Sequence, residues 1–290
     1  MFKGSITALI TPFKDGAIDW DSFDKLVEWQ IEQGSHGLVP CGTTGESPTL
    51  SHDDHKAIIR RCVQVVNKRI PVIAGTGSNA TQEAIELTQD AKDAGVDGCL
   101  SVVPYYNKPT QDGMIAHFSA IHDAVDLPII LYDIPGRSVV QMDLDTIATL
   151  AKMDHIVGIK DATNDLSRVC ALREVVPADF ALLSGEDPTA AGFYALGGNG
   201  CISVVSNIAP KACAELYNSW TAKDIDTFAA RRDALAPLGR DLFCESSPAP
   251  VKYAAQLLGL CTDEVRLPLL PATPAAQEKV KAAMKHAGLI

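Results

Sequence analysis

Short apolar runs recur along this chain roughly every 25 to 35 residues, and after each the pattern switches to helical spacing, the alternation expected of parallel βα units. Eight such runs can be counted: Ile6–Ile10, Gly37–Pro40, Pro71–Ala74, Gly98–Val103, Pro128–Tyr132, Ile156–Lys160, Phe180–Ser184 and Cys201–Val205. Most are continuously apolar instead of alternating, so the strands they predict are covered on both faces. Helix starts lie between them: Ser51 with Asp54 three residues on, Thr81 ahead of Glu83, and Asp143 or Asp145 ahead of Thr146. Eight strands in about 220 residues fit a closed α/β barrel of the (β/α)8 type better than an open sheet. A doubly wound sheet would carry a Gly-x-Gly-x-x-Gly turn after the first run, and none follows Ile10.

The strand signal stops near residue 220. Helical spacing continues in Ile225–Leu238, Pro250–Leu258 and Ala275–Ala287, interrupted by Pro268–Pro274. The expected organisation is a barrel over residues 1–224 and a small helical region over 225–290. A chain of 290 residues, 47% hydrophobic, is long enough for that core and too short for two large domains.

Charge narrows the partners. The formal net charge of −11 offers no broad basic surface, so nucleic acid is excluded as an expected partner. Met1-Phe2-Lys3-Gly4-Ser5 carries no signal-type leader, and no apolar run suits a bilayer, so no membrane partner is expected and the cytoplasm is the expected location. The eight cysteines are scattered without a Cys-x-x-Cys pair and read as small buried apolar residues of a reduced compartment; no metal site is expected of them.

In a barrel the chemistry gathers where strands end, so polar residues there are the ones to weigh. The second run leads into Gly42-Thr43-Thr44-Gly45-Glu46, either a tight turn with threonine caps or a loop offering hydroxyls and N–H groups to a carboxylate. The fifth leads into Tyr132-Asp133-Ile134-Pro135-Gly136-Arg137. Tyr132 is either a core-edge residue or a proton relay at the barrel mouth, and Arg137 either a solvated cation or a carboxylate clamp. The sixth ends at Lys160. Most strand-end lysines are simply solvated, but desolvation at this position would disfavour the ammonium and free an amine to attack a keto group. After the fourth run stand Tyr105 and Tyr106; neighbours in a strand face opposite sides, so both cannot serve one pocket of one subunit.

Taken together, Gly42-Thr43-Thr44-Gly45-Glu46, Pro104-Tyr105-Tyr106, Tyr132-x-x-Pro135-x-Arg137, Ile159-Lys160 and Ser184-Gly185-Glu186 resemble, in order and spacing, the pyruvate-dependent dihydrodipicolinate synthase and N-acetylneuraminate lyase superfamily, over essentially the whole chain. The resemblance implies a class I aldol condensation of pyruvate with L-aspartate 4-semialdehyde to 4-hydroxy-tetrahydrodipicolinate, in lysine and diaminopimelate biosynthesis. It makes Lys160 the Schiff-base lysine and Thr44 the holder of the pyruvate carboxylate. Thr43, Tyr132 and Tyr106 become a proton relay, with Tyr106 reaching in from a neighbouring subunit. Gly185 and Ile202 match positions lining the site, and Arg137 matches the arginine that receives the aldehyde's carboxylate. That arginine favours the synthase branch over the lyase branch, which typically lacks it. Asp133 departs from the Asn of many relatives. The resemblance also implies no cofactor beyond the covalent imine, and a homotetramer built as a dimer of dimers.

A second set, Ser47, Pro48, His52, His55, Asn79, Glu83 and Tyr105, matches the positions that line an L-lysine pocket in feedback-inhibited relatives. On spacing alone His52 and His55 are an ordinary i,i+3 pair at a helix start. Two rival readings remain: another pyruvate-type aldolase of the same fold, and a barrel that only binds lysine or a keto acid.

Overall fold

A computed structural model describes residues 2–290. Among the described residues eight parallel strands form the barrel: β1 (Gly4–Ala8), β2 (Gly37–Val39), β3 (Ile73–Gly75), β4 (Gly98–Val102), β5 (Ile129–Asp133), β6 (Ile156–Asp161), β7 (Ala181–Ser184) and β8 (Gly200–Ser203). Their order is β2-β1-β8-β7-β6-β5-β4-β3, and a parallel bridge between Leu38 and Val72 brings the two edges together. Helices α1 (Trp20–Glu32), α2 (His52–Val66), α3 (Thr81–Ala94), α4 (Gln111–Ala124), α5 (Leu144–Leu150), α6 (Ser167–Val175), α7 (Ala190–Ala195) and α8 (Pro210–Ala222) alternate with the strands.

Burial on both faces explains the continuous apolar runs. Ile6, Val39, Ile73, Leu100, Ile130, Leu183 and Ile202 fill the interior. Their neighbours in the strands, with residues such as Phe118, Ile147 and Leu172, pack between strands and helices. Each run overlaps one strand, with ends displaced by up to two residues. The displacement at the start of β1 has a physical cause: Gly4 and Ser5 pair with Gly200 and Cys201, and the backbones there pass so closely that a Cβ on Gly200 would sit 2.4 Å from the Gly4 carbonyl oxygen. Small and polar residues open that strand, so an apolar-run criterion starts late.

Of the expected caps, Ser51 accepts the Asp54 N–H at 3.1 Å and Asp143 occupies the N-cap of α5. Thr81 does not cap α3. Ala80 holds the N-cap position, Ser78 Oγ accepts the Ala80 N–H, and the Thr81 hydroxyl is taken by His117 Nδ1 at 2.9 Å. The cysteine expectation also needs correction at three positions: Cys170 is exposed and Cys244 and Cys261 are half-buried, while the other five are buried, all eight being free thiols.

The remaining helices are α9 (Ile225–Asp241), α10 (Ala249–Leu257) and α11 (Pro274–His286). No helix among the described residues is long and apolar enough to cross a membrane.

At the top of the barrel β3 lies hard against the loop that follows β2. Gly75 donates its N–H to Pro40 O at 2.9 Å, and a Cβ on Gly75 would stand 2.2 Å from Cys41 O. Both partners are backbone in the barrel wall and neither can step aside. Gly75→Ala should therefore cost more than about 3 kcal/mol in chemical denaturation, whereas a loss under about 1 kcal/mol would mean the two strands can part there.

Candidate active site

Lys160 and Tyr132 are directly opposite each other across the β6–β5 ladder, and Asp161 opposes Asp133 one residue further on. That register depends on an irregularity: Ile129 opposes Ile156 but Ile130 opposes Gly158, leaving Val157 unopposed. Alternation then sends Lys160 and Tyr132 inward. Both are buried, at 6% and 5% exposure, and Lys160 Nζ stands 4.2 Å from the Tyr132 ring centroid. Lys160 has no salt-bridge partner among the described residues. Gly185, after β7, leaves room for its stem, since a Cβ there would lie 3.0 Å from Lys160 Cε.

The loop after β2 closes on the same point. Gly45 N bonds Gly42 O and Glu46 N bonds Thr43 O, each at 3.1 Å, while Thr11 Oγ1 donates to Gly45 O at 2.7 Å. Cys41 and Glu46, at φ 57° and 60°, bracket the turn in the left-handed region that non-glycine residues rarely occupy. Thr43, Thr44, Tyr132 and Lys160 all line one cavity of about 200 Å³.

That cavity has a second set of walls: Ser47, Pro48, His52, His55, Glu83 and Tyr105. His52 Nε2 is 2.9 Å from Glu83 Oε1, and Ser78 Oγ donates to the other Glu83 oxygen. The Ser78 hydroxyl first, then His52, hold the Glu83 carboxyl below its usual range. His55 is buried with Nε2 on Gly75 O at 2.8 Å, and its burial disfavours the charged imidazole. Asn79 is not among the walls. Its side chain donates to Tyr105 O at 3.1 Å, so it shapes the Tyr105 segment from behind.

Other expected residues also stand apart. Strand β4 ends at Val102, so Tyr105 and Tyr106 lie in a loop, and strand alternation is not what separates them. Tyr106 has φ 73°, is 90% exposed and does not line the cavity of its own chain. Arg137 sits exposed on the short helical turn Pro135–Ser138 at the rim. Ile202 is packed in the barrel interior beside the site. Burial raises the Glu186 carboxyl, and the charges of Lys160 and then Arg137 oppose that rise, which puts both cations in its field.

Two groups that strand-end reasoning passed over lie behind the site. Arg168 of α6 is buried between Asp133 and Asp161, with Nη1 2.8 Å and 3.4 Å from their Oδ2 atoms and Nη2 donating to Met142 O at 2.6 Å. Asp133 therefore faces away from Tyr132, and Arg168 compensates the carboxylate found where Asn was expected. Burial pushes Asp133 from an ordinary 3.8 up to about 6, against the pull of Arg168. No motif marks Arg168; only its helical phase pointed inward. Asp187 Oδ2 accepts Val204 N at 2.8 Å, tying the β7 loop to the end of β8.

Residues 1–287 match the family model described as the dihydrodipicolinate synthetase family. A 4-hydroxy-tetrahydrodipicolinate synthase from Rhodospirillum centenum is 57% identical over 290 residues, covering all of both chains. Among solved structures, a chloride-inhibited dihydrodipicolinate synthase from Acinetobacter baumannii complexed with pyruvate superposes with TM-score 0.97 at 49% identity, with full coverage of both chains. A Cyanidioschyzon merolae relative with lysine bound gives TM-score 0.96 at 38% identity, covering 100% of this chain and 99% of that one.

Asp133 supplies a pH test. Its raised value means that the folded chain holds a proton the unfolded chain has released. That contribution is present below about pH 4 and is lost as pH rises through about 6, a change on the order of 2–3 kcal/mol. Asp133→Asn should abolish that loss, so its Tm at pH 7.5 should equal or exceed the parent's. A Tm several degrees lower at pH 7.5 would mean that the ionised Asp133–Arg168 pair is net stabilising.

Proposed function

The chain belongs to the dihydrodipicolinate synthetase family and is a lyase of the 4-hydroxy-tetrahydrodipicolinate synthase kind; on that premise we propose that it condenses pyruvate with L-aspartate 4-semialdehyde through a Schiff base on Lys160. The observation that carries this reading is a buried lysine without a carboxylate partner, held over the Tyr132 ring in a small cavity whose wall includes Thr43 and Thr44. A buried, unpaired amine serves no purpose in packing, and in such a place it is suited to nucleophilic attack.

The Lys160 amine adds to the pyruvate ketone and water leaves, giving an iminium. The methyl carbon loses a proton to the hydroxyls of Tyr132, Thr43 and the partner subunit's Tyr106, and the electron pair moves into the iminium to form an enamine. The enamine carbon bonds to the aldehyde carbon, and the resulting alkoxide takes back a proton. The amine of the second substrate then attacks the iminium carbon and displaces Lys160, closing the ring. The iminium is the electron sink, so the reading invokes no metal or organic cofactor. Thr44 holds the pyruvate carboxylate through its hydroxyl and N–H. Gly185 admits the Lys160 stem, the Ile202 carbonyl faces the lysine, and Arg137 receives the carboxylate of the semialdehyde.

The exposure of Tyr106 supports an assembly in which a second copy covers it, and a dimer of such dimers gives the tetramer we propose. The biosynthetic role of the relatives supports a cytoplasmic location. The second set of cavity walls, with Glu83 for an ammonium, supports L-lysine as inhibitor, and the lysine-bound relative strengthens that reading.

Turnover with pyruvate plus L-aspartate 4-semialdehyde, beside pyruvate plus N-acetylmannosamine, tests the assignment. Consumption of the semialdehyde alone, abolished in Lys160→Ala, is expected; turnover of the sugar alone would reassign the chain within the fold. Arg137→Ala should raise KM for the semialdehyde about 10- to 100-fold with pyruvate KM nearly unchanged. Millimolar L-lysine should slow the parent enzyme and leave Glu83→Ala largely unaffected. Undiminished activity of the parent in lysine would remove the inhibitor from the account.

A further inference from the structure

Glu46 ends the Gly42-Thr43-Thr44-Gly45-Glu46 loop, yet it does not line the cavity. It is 2% exposed, and both carboxylate oxygens are occupied from the far end of the chain. Oε1 accepts Lys252 Nζ of α10 at 2.7 Å, a partner 206 residues away, and Oε2 accepts the backbone N–H of Arg266 at 2.8 Å. Glu46 is therefore not free to act as an acid or base on a substrate.

The cluster extends in two further directions. Lys252 Nζ and the Arg266 guanidinium carbon lie 4.2 Å and 4.5 Å from the ring centroid of Phe13, in the hairpin Phe13–Ile18 after β1. Arg266 Nη1 also bonds Asp54 Oδ2 at 2.8 Å and Thr49 O at 3.2 Å, reaching the start of α2. Thr262 Oγ1 donates to Phe13 O at 2.6 Å and Gly16 N to Glu264 Oε1 at 2.8 Å. Residues 262–266 thus form a strap from α10 across the hairpin to the β2 loop.

A fully desolvated pair of charges is a poor way to gain stability. Taking both ions out of water costs several kcal/mol each, and apolar residues of similar volume often do as well or better. What such a pair provides is one geometry. The loop needs this, because its left-handed residues Cys41 and Glu46 favour other conformations when untethered. The tether at Glu46 lies two residues from Thr44.

We propose that Lys252, Glu46 and Arg266 are positioning residues that set the Thr43-Thr44 loop for the carboxylate of the keto-acid substrate, so that the C-terminal strap governs substrate capture. This rests on the reading of Thr44 as carboxylate holder.

The test compares steady-state kinetics and Tm for the full-length parent, the double variant Lys252→Met/Glu46→Gln and Arg266→Ala. The double variant removes both charges without stranding either. It should fold, with KM for pyruvate raised about tenfold because a displaced Thr44 loses carboxylate binding, and with kcat lowered as well because Thr43 of the same loop belongs to the proton relay. Arg266→Ala, whose side chain is partly exposed, keeps the proposal testable if the double variant does not fold; its pyruvate KM should rise about threefold. A folded variant with parental Tm and unchanged pyruvate KM would overturn the proposal and leave a purely structural pair. If the parent does not turn over pyruvate at all, the functional reading fails first and the proposal falls with it.

Discussion

In a parallel ladder a shift of one residue exchanges the two faces of a strand. Between β5 and β6 that shift would carry Lys160 out of the barrel and bring Asp161 in. Two devices hold the register. The unopposed Val157 advances β6 by one residue so that Lys160, not Ile159, meets Tyr132. Behind the sheet, Arg168 takes the two aspartates that alternation turns outward, where two carboxylates directly opposite each other would otherwise repel. The inward amine and its aromatic neighbour are thus one face of an arrangement whose other face is a buried ion cluster.

The barrel was legible because βα units bury their strands on both sides, and such strands read as unbroken apolar runs. It became less legible where close backbone contact replaces side-chain packing, as at Gly4 and Gly200. Lys160 and Tyr132 stand out because each ends a run, and the Thr43-Thr44 pair because it comes three residues after one. Tyr105 and Tyr106 were harder, since their rings diverge through a left-handed Tyr106 in a loop that no alternation rule covers. Arg168 and Lys252 look like ordinary helix residues in sequence. Their roles come from tertiary pairing, over 206 residues in the case of Lys252 and Glu46, and no local pattern records it.

The cavity joins two kinds of wall. Thr43, Thr44, Tyr132 and Lys160 meet the same volume as His52, Glu83 and Tyr105, and the loop between them, from Gly42 to Leu50, serves both. Glu46 is fastened within that loop, and Arg266 fastens it again at Thr49 and Asp54. The helical segment after the barrel is for this reason joined to the barrel's chemistry and not only to its outer surface.

The central claim is that the Lys160 amine captures pyruvate covalently. Borohydride reduction of the full-length protein in pyruvate, followed by peptide mass mapping, tests it without the second substrate. The account predicts a single reduced pyruvate adduct on the peptide bearing Lys160, and none in Lys160→Ala. An unmodified Lys160 under conditions where turnover proceeds would contradict the account.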